Sequence, residues 1–175
     1  MRLCALLAIL LSGCSASAPS TDRRIPSYRR FTCTAVYAVE GDLLLATCAD
    51  KLERLRLIGI DAPEIESSRK AKRDAKKSGR SLAAELARGS KAANYVRGLV
   101  HEGDRIALVF DKRQRDEEKH LLAYVYLPDG GMLNARILET GYAVPSPVPP
   151  NTRYKKLFNE LYRRAKKVGR GLWRK

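Results

Sequence analysis

Over residues 31–60, three short apolar runs, FTCTAVYAV, LLLATCA and LERLRLIGI, are separated by turn-forming residues at Glu40-Gly41 and Asp50-Lys51. Partial period-two alternation and β-branched or aromatic content predict three consecutive strands in a meander. Pro63 ends the third. The Lys, Arg, Ala and Ser of residues 67–89 predict exposed helix interrupted at Gly79 and Gly89. Ser90 is expected to cap the next helix, in which Ala92, Ala93, Val96, Leu99 and Val100 recur at helical spacing before Gly103. Strands return at 105–110 and 121–127, followed by a turn at Pro128-Asp129-Gly130-Gly131. A short helix at 132–140 has Asn134 as a local cap and Gly141 as its stop. Beyond SPVPPN, Tyr154, Leu157, Phe158, Leu161, Ala165 and Val168 mark a final amphipathic helix capped by Asn151 or Thr152. The count fits an α+β domain, a five-stranded closed β-barrel of OB type with packed helices.

The start of the chain has a different pattern. A single Arg precedes the apolar run of residues 3–11, which is too short to cross a membrane, and small residues follow, as in a secretory signal. Leu11-Ser12-Gly13-Cys14 resembles the lipobox of bacterial lipoproteins. The expectation is a signal peptide at 1–13, a lipidated Cys14 with a flexible tether at 14–30, and a folded domain at 31–175. Such a tether holds the domain roughly 20 Å from its anchor. The expected location is the cell envelope, periplasmic or outer-membrane; cleavage after Ala16 or Ala18 would give a secreted protein instead.

Composition adds a partner class. In 175 residues, 34 Lys and Arg stand against 19 Asp and Glu, a net charge of +15, while 45% hydrophobic content excludes a disordered basic tail. Such charge asks for an anionic partner without choosing among nucleic acid, anionic lipid and acidic polysaccharide. The stretch SRKAKRDAKKSGR at 68–80 reads either as a nucleic-acid track or as a solvated helix face near anionic lipid. Once Cys4 has left with the signal and Cys14 is acylated, Cys33 and Cys48 remain as an even pair, equidistant from the Glu40-Gly41 turn. An oxidising compartment makes a disulfide the default. Two separately buried thiols are the alternative, because a one-residue change of register would part the sulfurs.

The carboxylates are few and grouped. In a meander, the start of strand two and the end of strand three share one end of the sheet, which would bring Asp42, Asp61 and Glu64 together beside Arg56. Pro63 holds Ala62 extended, with its carbonyl outside any helix. Two carboxylates and a carbonyl make a hard oxygen site of the kind Ca²⁺ accepts. A further carboxylate can act as general base on water, and an Arg can bind phosphate oxygens, so the set suits phosphodiester hydrolysis. Turn carboxylates paired with surface Arg are the plainer reading, and a two-carboxylate glycosidase is formally open.

RLRLIGIDAPE at 54–64 resembles the signature of the staphylococcal nuclease (thermonuclease) family. So do VEGDLLLA at 39–46, LLAYVYLPDGGMLNARILETGYA at 121–143 and GRGLW at 169–173. The resemblance implies an OB barrel with three helices and a monomer that cleaves DNA or RNA. It places Ca²⁺ ligands on Asp42, Asp61 and the carbonyl of Ala62, the general base on Glu64 and a phosphate-binding Arg on Arg56. The reaction implied is attack of water on phosphorus, with 3′-phosphate ends. Two stretches depart from the family pattern. Glu40-Gly41-Asp42-Leu43 stands for Asp-Gly-Asp-Thr, losing a hydroxyl. Asp116-Glu117-Glu118-Lys119-His120 stands for Asp-Arg/Lys-Tyr-Gly-Arg, so His120 falls on the second catalytic Arg. His120 is then a candidate cation or acid for the leaving oxygen, with an exposed loop residue as the alternative; Arg113 and Arg115 are the neighbouring guanidinium candidates. Losing one positioned donor to transition-state charge costs about 10²- to 10³-fold in rate. A nucleic-acid-binding OB module whose catalysis has decayed is the competing reading.

Overall fold

The computed structural model describes residues 31–174. The expected signal segment, lipidated Cys14 and tether lie outside the described residues. Five strands close a barrel: β1 (Phe31–Ala38), β2 (Leu43–Cys48), β3 (Lys51–Leu57), β5 (Arg105–Val109) and β6 (Leu121–Tyr126), in the order β1-β2-β3-β6-β5. The pairings are antiparallel except β3 with β6, which is parallel. Leu44, Leu55, Leu57, Ile106, Leu108, Tyr124 and Tyr126 are buried in its core. The barrel and its helices form the expected OB-type α+β architecture.

The meander differs from its prediction where the chain must leave the barrel. The third apolar run splits at Ile58 and restarts as β4 (Gly59–Asp61), whose first residue has a φ of 79° that favours glycine. This short strand pairs with β7 (Val144–Ser146) in a separate two-stranded sheet. Asp42 therefore sits at the mouth of the barrel and Asp61 on the appended sheet.

The β1–β2 hairpin is also less regular than a tight turn. Ala38 faces Leu44 and Tyr37 faces Leu45, but Ala35 faces Ala46, so Val36 is an extra residue that resets the register. Beyond this bulge Cys33 and Cys48 form a disulfide with a Cα separation of 4.5 Å.

The helical region divides differently from its sequence pattern. Helix α1 (Arg69–Ser78) is capped by Ser68, which accepts from Ala71 N–H at 3.0 Å, and ends at Gly79 with φ 69°. Helix α2 (Leu82–Arg97) is capped by Ser81 and runs uninterrupted through Gly89. Ser90 is thus mid-helix, donating to the Leu86 carbonyl, and is no cap. In α3 (Leu133–Glu139), Asn134 is fully buried rather than a local cap. It accepts from Val125 N–H and donates to the Ile58 carbonyl, tying β6 to the β3–β4 junction. Helix α4 (Lys155–Lys167) begins after Tyr154 without a side-chain cap, and Asn151 is used elsewhere. Trp173 packs edge-on against Tyr162 at 5.4 Å.

Candidate active site

Backbone pairing sets the acidic corner. Leu43 pairs with Arg56, and the next N–H, that of Leu57, donates to the Asp42 carbonyl at 2.9 Å. Asp42 is thereby fixed beside the end of β3, where the chain turns into β4 and reaches Asp61 and Ala62. Small residues let these main chains meet. A Cβ on Gly41 would lie 2.7 Å from Ala62 Cβ and 2.9 Å from Ala92 Cβ. One on Gly89 would overlap the carbonyl of Glu64. The glycine that the sequence pattern reads as a helix interruption is the place where α2 lies against the main chain of Glu64.

A cavity of about 240 Å³ opens here, lined by Asp42, Arg56, Asp61, Arg113, Asp116 and Asn151 among others. Asp42 is 3% exposed. Burial pushes its carboxyl up to about 7; Asp61 and Glu40 add to the rise, while Arg56 and the Ala62 N–H oppose it. Burial also raises Asp61, against the opposing pull of Lys70. Arg56 stands between two carboxylates, with Nη1 3.6 Å from Asp42 and Nε 3.7 Å from Asp116. Glu64 is held by the hydroxyl of Ser68, which donates to its Oε2. The expected meeting of Asp42, Asp61 and Glu64 takes this form: Asp42 and Asp61 line the cavity, and Glu64, outside its lining, is joined to Asp61 through a shared cation.

That cation is Lys70, from the first turn of α1. Its Nζ lies 3.2 Å from Asp61 Oδ1, 3.8 Å from Glu64 Oε1 and 3.4 Å from Asp74 Oδ2, and donates to the Ala62 carbonyl at 3.1 Å. Burial lowers its pKa, but Asp61, Asp74 and Glu64 outweigh this and leave it raised. Within the basic stretch, Arg69, Lys72, Arg73, Lys76, Lys77 and Arg80 are exposed, so the solvated-face reading describes the outer side of α1 and Lys70 belongs to the site.

The residues available to a metal are all hard oxygens: the carboxylates of Asp42 and Asp61 and the carbonyl of Ala62. Among the described residues no three His, Cys, Asp or Glu side chains form a ligand group of their own, so the carbonyl is needed as a donor. An ammonium already bonded to Asp61 and to that carbonyl shows that the set attracts a cation, and its donor chemistry fits Ca²⁺.

Across the cavity, His120 does not line the wall on which the resemblance places a catalytic group. It is 6% exposed, which removes the exposed-loop alternative. Its Nδ1 lies 3.0 Å from Asp116 Oδ2 and 3.5 Å from Glu118 Oε2, and its N–H donates to Asp116 Oδ1. His120 thus meets Arg56 only through Asp116. Lys119 takes a left-handed φ of 67° where the family pattern has Gly. Arg115 is engaged by both oxygens of Glu53 at 2.8 and 3.0 Å. Arg113 instead lines the cavity, its main chain clasped by Asn151, which accepts from Arg113 N–H at 2.8 Å and donates to its carbonyl at 2.7 Å.

Sequence reasoning missed Lys70, Ser68 and Asn151. Ser68 carried a signal, since a Ser opening a helix four residues after Glu64 can reach both the helix N–H groups and that carboxylate. Lys70 carried none that set it apart from the lysines around it.

Residues 54–175 match the family model described as staphylococcal nuclease homologue. The chain is similar to a protein named Thermonuclease from Staphylococcus intermedius, with 28% identity over 154 residues, 88% of this chain and 80% of the relative. It is also similar to Thermonuclease from Staphylococcus hyicus, 22% identical over 170 residues, 97% of this chain and 91% of the other. A third relative, the SPbeta prophage-derived endonuclease YokF of Bacillus subtilis (strain 168), is 30% identical over 140 residues, 79% of this chain and 42% of that protein.

Proposed function

The chain belongs to the staphylococcal nuclease family, and on that premise we propose that it is a Ca²⁺-dependent endonuclease that hydrolyses DNA or RNA and leaves 3′-phosphate ends. The observation that carries this reading is the convergence of Asp42, Asp61 and Arg56 on one cavity, with Glu64 braced by Ser68 beside it. Ca²⁺ held by Asp42, Asp61 and the Ala62 carbonyl would supply positive charge against the phosphate oxygens. Glu64 takes a proton from the attacking water while the new P–O bond forms. The bond to the 5′ oxygen then breaks, and that oxygen leaves as a hydroxyl, taking its proton from a solvent water.

Arg56 stabilises charge on the phosphoryl oxygens, drawn from its present position between Asp42 and Asp116. Arg113 is the second guanidinium in this proposal, since it shares the cavity wall with Arg56, and His120 acts behind Arg56 by holding Asp116. The +15 charge draws the polyanion toward the site. The Leu-Ser-Gly-Cys sequence supports a lipid anchor at Cys14 in the bacterial cell envelope, and the protein is proposed to act there as a monomer.

Digestion of plasmid and of RNA in Ca²⁺, beside chelator and Glu64→Gln, tests the proposal. Cutting is expected to stop with chelator and to fall by at least about 10²-fold in Glu64→Gln. Arg113→Ala in the same assay is expected to lower kcat by about 10²-fold. Cutting at the same rate in Glu64→Gln would rule out the assigned base. Salt-sensitive binding of nucleic acid without any metal-dependent cutting would favour a binding module instead.

A further inference from the structure

We infer that Lys70 is a built-in competitor for the metal, a tethered ammonium that occupies the cation position of the acidic corner and must withdraw before a divalent ion can bind there. The inference rests on the Ca²⁺ site proposed above and deepens it by adding a control on occupancy.

Two of the three oxygen donors assigned to the metal, Asp61 Oδ1 and the Ala62 carbonyl, are the atoms to which Lys70 Nζ is closest, at 3.2 and 3.1 Å. Its remaining partners are Glu64 and Asp74. These contacts fill the coordination of an ammonium, which has only three donors and no acceptor. The arrangement is particular to this lysine. Neighbouring Lys72, Lys76 and Lys77 are exposed, whereas Lys70 is half-buried at the start of α1, where the Ser68 cap and the Ser68–Glu64 bond fix the helix against the corner.

An ammonium and a dication cannot share the Asp61 oxygen and the Ala62 carbonyl at these distances. At an effective dielectric near 20, their repulsion at about 4 Å alone changes affinity by more than tenfold. Asp74 gives the ammonium a second place to go. It lies one helical turn along α1, 3.4 Å from Nζ, and is assigned to neither the metal nor the base. Swinging onto Asp74 would free Asp61 and Ala62 while keeping the lysine paired. The lysine would thus neutralise the corner when Ca²⁺ is scarce, and the ion concentration needed for activity would be set above that of an unguarded site.

Calorimetric titration of the full-length protein with Ca²⁺ tests this, with thermal melts of each protein in chelator and in saturating Ca²⁺. Lys70→Met and Lys70→Gln are expected to bind Ca²⁺ at least about tenfold more tightly than the parent. The exposed control Lys72→Met is expected to stay within about twofold. The Lys70 variants should also melt lower than the parent in chelator and gain more from Ca²⁺ than the parent does; a purely structural lysine would lower both melts equally. Equal Ca²⁺ affinity in parent and Lys70 variants overturns the inference and leaves the metal site standing. Equal tightening by Lys72→Met overturns it too, by reducing the effect to general charge. Absence of Ca²⁺ binding from all four proteins overturns the metal site itself and the inference with it.

Discussion

Asp42, Asp61 and Glu64 lie where main chains approach so closely that Gly41 and Gly89 have no room for a Cβ. Across the same cavity, residues 111–120 are held by a few main-chain bonds, such as Leu122 N–H to the Gln114 carbonyl, and by side-chain contacts: Asn151 on the Arg113 main chain, Glu53 on Arg115, His120 on Asp116, and Tyr124 with Arg153 on Asp111. The first wall is fixed by steric contact, which changes abruptly when an atom is added. The second is fixed by polar contacts, each worth about 1 kcal/mol, which can be exchanged singly. The difference agrees with the sequence. The sterically fixed wall keeps the carboxylates that the resemblance expects and departs from the pattern only at Glu40 and Leu43, whereas the wall held by polar contacts is where Glu117, Glu118 and His120 depart from it.

The contrast can be broken most directly at Gly89. Gly89→Ala forces α2 away from the Glu64 carbonyl and is expected to cost about 3 kcal/mol, at the upper end for overpacking, and to abolish cutting. A denaturant melt reads this; a loss below 1 kcal/mol would show that the wall yields after all.

A smaller effect is expected at Asp42. In metal-free protein its carboxyl sits near 7, well above its ordinary value, so the folded state binds the proton more tightly than the unfolded one. The stability this provides is present in full below the unfolded pKa and is lost as pH rises through about 7. Asp42→Asn lacks that slope and should melt higher than the parent at pH 8 in chelator, by on the order of 2 kcal/mol, with the gap narrowing as pH falls below about 7 and closing only near the ordinary value of 3.8. Ca²⁺ should reverse the order, since only the carboxylate gains from it.

The smallest effect is expected from Asn151→Ala, which leaves the Arg113 N–H and carbonyl to find other partners. It should cost about 1 kcal/mol of stability, yet lower kcat more than KM, because Arg113 loses its placement and not its charge. A large loss of stability with unchanged kcat would mean that this wall, too, serves packing first.

What was legible in the sequence follows the same division. Strand alternation and two turns suffice to place Asp42 beside Arg56 and near Asp61, because register carries side-chain position with it. Gly59 was hidden within an apolar run, so the departure of β4 from the barrel was not visible. Gly89 was visible but misread: a glycine in a polar helix looks like a break unless the surface it packs on is known. Asn134 likewise resembles a cap until the carbonyl of Ile58, 76 residues away in sequence, is brought to it. Lys70 and His120 find their partners within nine residues along the chain, Asp61 and Glu64 for the one and Asp116 for the other, but in a stretch crowded with charges the spacing does not single out those pairs.

The Cys33–Cys48 bridge acts on the site without approaching it. A crosslink at Cys33–Cys48 fixes the pairing of the two strands at the end of the hairpin away from the turn, and the Val36 bulge sets the offset between that end and Asp42. The covalent bond therefore works as an alignment pin. The oxidation state of one end of the hairpin therefore bears on the strand from which Asp42 is presented at the other end.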